Sequence, residues 1–105
     1  MAGAEFASFE NLARRAGFDE VLERQWEANR VLETHAHPFA VTARVVQGEM
    51  WLTVDGHARH LHAGDTFELA ADVPHAERYG PDGATFWVAR RHRDTRPASP
   101  ATPGR

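Results

Sequence analysis

The sequence predicts an all-β domain, a sandwich or barrel of short strands, preceded by one short helix. Three observations carry this. Runs rich in β-branched and aromatic residues alternate with polar positions and recur at short, regular intervals, with turn-forming residues between them. Apolar residues at helical spacing occur in one stretch, residues 4–16. The chain has 105 residues, 42% of them hydrophobic, which suits one compact core rather than two.

Taken in order, Phe6, Phe9, Leu12, Ala13 and Ala16 fall on one side of an amphipathic helix, and Gly17 follows as its stop. VLERQWE, 21–27, sets Leu22 and Trp26 against charged neighbours as a strand, and ANR, 28–30, reads as a turn. VTARVV, 41–46, is a β-branched strand that ends at Gln47-Gly48. MWLTV, 50–54, alternates again, with Met50, Leu52 and Val54 inward and Trp51 and Thr53 outward, and Asp55-Gly56 is a strong hairpin turn. RHLH, the turn Ala63-Gly64-Asp65, TFEL, the break at Pro74, HAERY, the loop GPDG at 80–83 and ATFWVAR complete the pattern. The resulting division is a helical segment over 1–18, a β domain over 19–92 and a disordered tail over 93–105, where Pro, Arg, Ser and Thr leave almost nothing to bury.

Composition narrows the function. A net charge of -3, from 12 basic and 15 acidic residues, offers no positive field for nucleic acid. With no cysteine there are no disulfides and no thiolate ligands, so imidazole and carboxylate are the groups left for a metal. The first fifteen residues hold no apolar run of the length a signal peptide or membrane span needs, so a cytoplasmic protein with no membrane partner is expected.

The seven histidines are the strongest chemical signal. In LETHAHPFAV, His35 and His37 stand one residue apart. On a strand they would share a face, so two imidazoles could hold one ion at about 2.0–2.1 Å each. His75, directly after Pro74, is the best third ligand if a neighbouring strand lies alongside. An isolated H-x-H is equally compatible with hydrogen-bonded or surface side chains. His57, His60 and His62 form a second cluster. Leu61 takes the inward position, so His60 and His62 point outward as a solvated face. His92 ends the last strand.

The stretch 32–89 resembles the cupin family. The family's first motif runs G-x5-H-x-H, three or four residues, E, six residues, G; THAHPFAVTARVVQG supplies His35, His37 and Gly48 in register. Its second runs G-x5-P-x-G-x2-H-x3-N, and GDTFELAADVPH supplies Gly64 and His75, with Tyr79 in place of the asparagine. The resemblance implies a cupin-type jelly-roll β-barrel with a divalent metal ion (iron, manganese, nickel, copper or zinc) in its mouth, held by His35, His37 and His75. Three departures stand out. Val41 occupies the position of the family's glutamate ligand, Ala70-Ala71-Asp72 replaces P-x-G, and Asn29 stands where the first glycine belongs.

A neutral three-histidine set resembles that of thiol and diketone dioxygenases, so the expected activity is dioxygenase-like, with lyase or isomerase chemistry beside it. A non-catalytic ligand- or metal-binding module is the alternative, and a scaffold with a decayed site the third. Alternation from His75 carries Glu77 and Tyr79 inward. Glu77 is then a fourth ligand or general base, with Tyr79 as proton donor or orienting hydroxyl; otherwise Glu77 pairs at the rim with Arg44 or Arg90. Phe39, Val41, Ala43, Val45, Met50, Leu52, Phe67 and Leu69 line a pocket or form ordinary core. An apolar lining suits a small, mostly uncharged organic molecule. Trp51, on an outward face, points to a partner surface, and the resemblance makes a homodimer the expected assembly.

Overall fold

The structure, a computed structural model, describes residues 3–92. The expected tail at 93–105 lies outside the described residues. One helix, α1 (Gly3–Arg15), precedes six strands: β1 (Glu20–Trp26), β2 (Val31–His35), β3 (Phe39–Val54), β4 (His57–His62), β5 (Thr66–Leu69) and β6 (His75–His92). Phe6 and Phe9 of α1 pack on Trp87, with ring centroids 5.4 and 5.8 Å apart, and Ala13 is buried beside them. Leu12, expected on that face, is instead 66% exposed. Gly17, at φ 96°, ends the helix as predicted, with its amide on the Arg14 carbonyl and that of Phe18 on the Ala13 carbonyl.

Two long strands replace the many short ones expected. β3 and β6 pair antiparallel along their whole length, from Phe39 opposite His92 to Val54 opposite His75. Gln47-Gly48 and the GPDG stretch, read from sequence as a turn and a loop, lie inside these strands as bulged bends, with register shifts on either side of Gln47-Gly48. Glycine is required there. A Cβ on Gly48, at φ 80°, would lie 2.2 Å from the Gly83 carbonyl oxygen. The sheet runs β1-β6-β3-β4, with β2 also on β6 and β5 also on β3.

β1 and β5 flank one half of the long ribbon, and β2 and β4 flank the other. The inward side chains of both halves form one core that includes Val45, Met50, Leu52, Leu61, Tyr79 and Phe86. The fold is therefore mostly antiparallel β with one short helix, and the sheet is not closed, so the expected barrel is met as an open one. Asp55-Gly56, with φ 53° and 79°, makes the predicted hairpin turn. No helix among the described residues is long and apolar enough to cross a membrane.

Candidate metal centre

The site forms where β2 meets the start of β6. His35, the last residue of β2, is the direct cross-strand partner of His75, the first residue of β6. His37 lies beyond the strand, contrary to the expectation of a continuous H-x-H strand. Pro38 supplies no amide to continue a ladder, and the His37 carbonyl instead accepts from the Asp72 amide at 2.7 Å. The rings still converge. Centroids are 4.5 Å apart for His35 and His75, 4.8 Å for His37 and His75, and 5.3 Å for His35 and His37. One nitrogen from each of the three lies within 4.8 Å of the others. Phe39 stacks on the His37 ring at 4.6 Å and fixes its plane.

Hydrogen bonding sets the tautomers. His75 Nδ1 donates to the Val73 carbonyl at 2.9 Å, and His35 Nδ1 to the Glu33 carbonyl at 2.7 Å. A carbonyl only accepts, so in the neutral rings each Nε2 carries the lone pair. His75 Nε2 is buried without a hydrogen-bond partner. Glu77 Oε2 faces both lone pairs, 3.4 Å from His75 Nε2 and 3.7 Å from His35 Nε2. Electron-rich atoms so arranged repel one another unless a cation stands among them, and this set fits a divalent metal. His37 is pushed down to about 4 by burial, with the neighbouring His75 and His35 adding to the effect, so it is a neutral potential ligand at pH 7.

Glu77 and Tyr79 point inward as predicted. The alternative pairing of Glu77 with Arg44 or Arg90 is not what forms, because Arg44 is exposed and Arg90 lies 3.5 Å from Glu20. Glu77 Oε1 instead accepts from the Tyr79 hydroxyl. Burial, and then the Glu77 charge, push the Tyr79 hydroxyl far above its usual range, so it remains a proton donor. Val41, 6% exposed, lines the same cavity, so the acidic group missing from β3 is matched by one presented from β6.

The cavity, of about 230 Å³, has Phe39, Val41, Phe67, Leu69, Phe86 and Val88 among its walls. Of the residues expected to line it, Ala43, Val45, Met50 and Leu52 are core instead. The lining is largely apolar as expected, and Arg24 and Arg90 join it, with Arg24 4.6 Å from the Trp26 ring centroid and Arg90 5.1 Å from that of Phe39. Trp26 is a further wall, and its Nε1 is buried without a hydrogen-bond partner. Alternation along 21–27 sets Arg24 on the same side as Leu22 and Trp26, which is the signal in the sequence for its place on this wall.

The motif departures keep the backbone they replace. Asn29 and Asp72, standing where the motifs carry glycine, have φ 61° and 67°, the left-handed conformation that Asn and Asp tolerate best after glycine. His57, His60 and His62 are exposed as expected. Even so, Glu49 joins His60 and His62 in a second group whose potential ligand atoms lie within 4.8 Å of one another.

Comparison with known proteins agrees with this architecture. Among solved structures, the chain is similar to an RmlC-like cupin from Shewanella frigidimarina, at 24% identity over 75% of this chain and 71% of that one, with a TM-score of 0.63. It is similar to an uncharacterized conserved protein with a double-stranded beta-helix domain from Klebsiella pneumoniae, at 23% identity over 71% and 68%, TM-score 0.62. KdgF from Halomonas sp. matches at 23% identity over 71% of each chain, TM-score 0.60. These likenesses establish a common fold. No curated protein matches the chain. The sequence pattern of the family described as Cupin domain matches residues 24–89, more than half the chain and nearly all of the β domain, and on that match the chain belongs to the cupin family.

Proposed function

We propose that this cupin binds a divalent metal through His35, His37 and His75 and acts on a small organic molecule, with Glu77 and Tyr79 handling a proton beside the metal. The observation that carries the reading is His75 Nε2, a buried lone pair with no hydrogen-bond partner that faces another imidazole and a carboxylate. Leaving such a group unsatisfied costs about 1–3 kcal/mol, which a fold selected for stability alone would remove. Iron, manganese, nickel, copper and zinc all suit imidazole and carboxylate ligands. When bound, such an ion would polarise a substrate oxygen or acidify a water.

The chain's own groups supply the rest. In this reading Glu77 Oε2 serves as a fourth ligand or as the base that takes a proton from the substrate, supported by its position 3.4 Å from His75 Nε2, and the Tyr79 hydroxyl holds the other oxygen. The dioxygenase-like reading rests on a neutral triad. Glu77 sets a carboxylate beside that triad, a base suited to lyase or isomerase chemistry by proton transfer, while shells of imidazole and carboxylate also serve oxygen-activating iron. Arg24 and Arg90 on the cavity wall favour an anionic substrate such as a small carboxylate.

The test is metal content and turnover together. His35→Ala and His37→Ala proteins should lose one equivalent of metal relative to wild type, and unchanged metal content removes the proposal. Proton exchange or product formation, followed by NMR across short carboxylic acids and their amides, separates an enzyme from the alternative, a binding module. Tight binding without turnover favours the module. The proposal includes a homodimer that buries the groove containing Val31, Trp51 and Thr53, and light scattering at twice the chain mass is the expected result.

A further inference from the structure

The outer face of the sheet carries a second cluster of ligating groups, made by strand register. Glu49 on β3 lies directly opposite His62 on the edge strand β4, and Trp51 lies opposite His60. Leu61 is 2% exposed, so His60 and His62 project together from the opposite side. Their ring centroids are 4.3 Å apart, and His60 Nε2 lies 2.7 Å from Glu49 Oε1.

Three features hold these groups in place, and none belongs to the cavity site. The His60 ring lies flat on Trp51, with centroids 4.4 Å apart and planes 1° from parallel. Trp51 is in turn covered by the Arg78 guanidinium at 4.0 Å, from the strand on its other side. Asp65 Oδ2 accepts from the His62 amide at 2.8 Å and lies 3.2 Å from His62 Nδ1. A carboxylate on Nδ1–H leaves the Nε2 lone pair free, the arrangement in which protein imidazoles bind metals. Gly80 is the third. A Cβ there would lie 2.6 Å from Glu49 Cγ and 2.9 Å from its Oε2, although Gly80 does not have the left-handed φ that would itself require glycine. The missing side chain gives Glu49 its seat.

We propose that Glu49, His60 and His62 form a second metal site, separate from the cavity, that takes a divalent cation of the zinc class. Two imidazoles and one carboxylate are a ligand set zinc accepts, leaving a fourth position for water or an added ligand. Bonds of about 2.0–2.1 Å in a tetrahedral shell put ligand atoms about 3.4 Å apart. His60 Nε2 and Glu49 Oε1 would therefore open slightly from 2.7 Å, while the other separations, at most 4.8 Å, close by rotamer adjustment of exposed side chains. Glu49 then exchanges its hydrogen bond to His60 for a bond to the ion.

Calorimetric titration with zinc chloride tests this in the full chain. In a His35→Ala/His37→Ala background, which disables the cavity triad, one equivalent of zinc should still bind. That equivalent should disappear when His60→Ala and His62→Ala are added. Asp65→Asn and Gly80→Ala, which leave all three ligands present, should each weaken it about 10–100-fold. Far-ultraviolet circular dichroism confirms that each variant is folded, and His60→Gln gives a milder replacement at the same position. No zinc bound in the first background overturns the proposal. So does binding that is indifferent to Glu49→Gln and Gly80→Ala, because exposed imidazoles would then be collecting the ion without a built site. The cavity site is scored separately in the His60→Ala/His62→Ala protein, so failure of one does not read as failure of the other.

Discussion

His75→Leu should leave the metal-free protein about as stable as wild type or more so, while abolishing its stabilisation by metal at the cavity. Leucine occupies a similar buried volume without polar atoms. It removes the unpartnered Nε2, worth about 1–3 kcal/mol, and forfeits the Nδ1 bond to the Val73 carbonyl, worth about 0.5–1.5 kcal/mol. The balance lies between a loss of about 0.5 kcal/mol and a gain of about 2.5 kcal/mol. Metal at a hundred times its dissociation constant stabilises the wild-type fold by about 2.7 kcal/mol, and the variant should gain nothing from it. For a domain of this size that difference is roughly 10–20 °C in Tm. Urea unfolding in chelator and in metal, both in a His60→Ala/His62→Ala background to silence the outer face, measures the two terms. A metal-free variant destabilised by more than about 2 kcal/mol would show that His75 serves the fold, and equal stabilisation of both proteins by metal would refute its role as ligand.

Three further outcomes are expected. His37 titrates at about 4 in the folded chain against an ordinary 6.5, so the unfolded chain binds the extra proton between those values. Metal-free stability should therefore fall as pH drops from about 6.5 toward 4, and His37→Ala should flatten that slope in denaturation curves taken across the range. Glu77→Gln should weaken metal binding at least about tenfold, or 1.4 kcal/mol, and adding Val41→Glu should restore affinity, since both positions line one cavity; titration calorimetry that finds no rescue would separate the two positions. Gly48→Ala should cost at least about 2 kcal/mol in thermal unfolding, because the left-handed φ and the Gly83 carbonyl both oppose a side chain there.

Much of the site was legible because strand alternation is a local rule. It placed Leu61 inward between two outward histidines, and it put Glu77 and Tyr79 on the side of His75. Turn chemistry served equally well at Asp55-Gly56 and Gly17, where positive φ is a property of single residues. What failed depends on pairing between distant segments. Gln47-Gly48 and GPDG contain ordinary turn residues, and only the approach of Gly48 to Gly83 makes them bends inside continuous strands. The outer cluster escaped for the same reason, since Glu49 meets His60 and His62 through the β3–β4 register and its seat depends on Gly80, 31 positions away in a strand on the other side of β3. Arg24 is not legible as lining from its charge, which on its own implies exposure, whereas stacking on Trp26 keeps its guanidinium on the cavity wall.

The most direct test is long-range ¹H–¹⁵N NMR of the imidazoles in His60→Ala/His62→Ala protein titrated with zinc. The Nε2 resonances of His35 and His75, with one nitrogen of His37, should shift together and saturate at one equivalent, while His57 stays in place. Saturation with only one or two of these rings affected, or no shift at all, would contradict a metal centre built from the three.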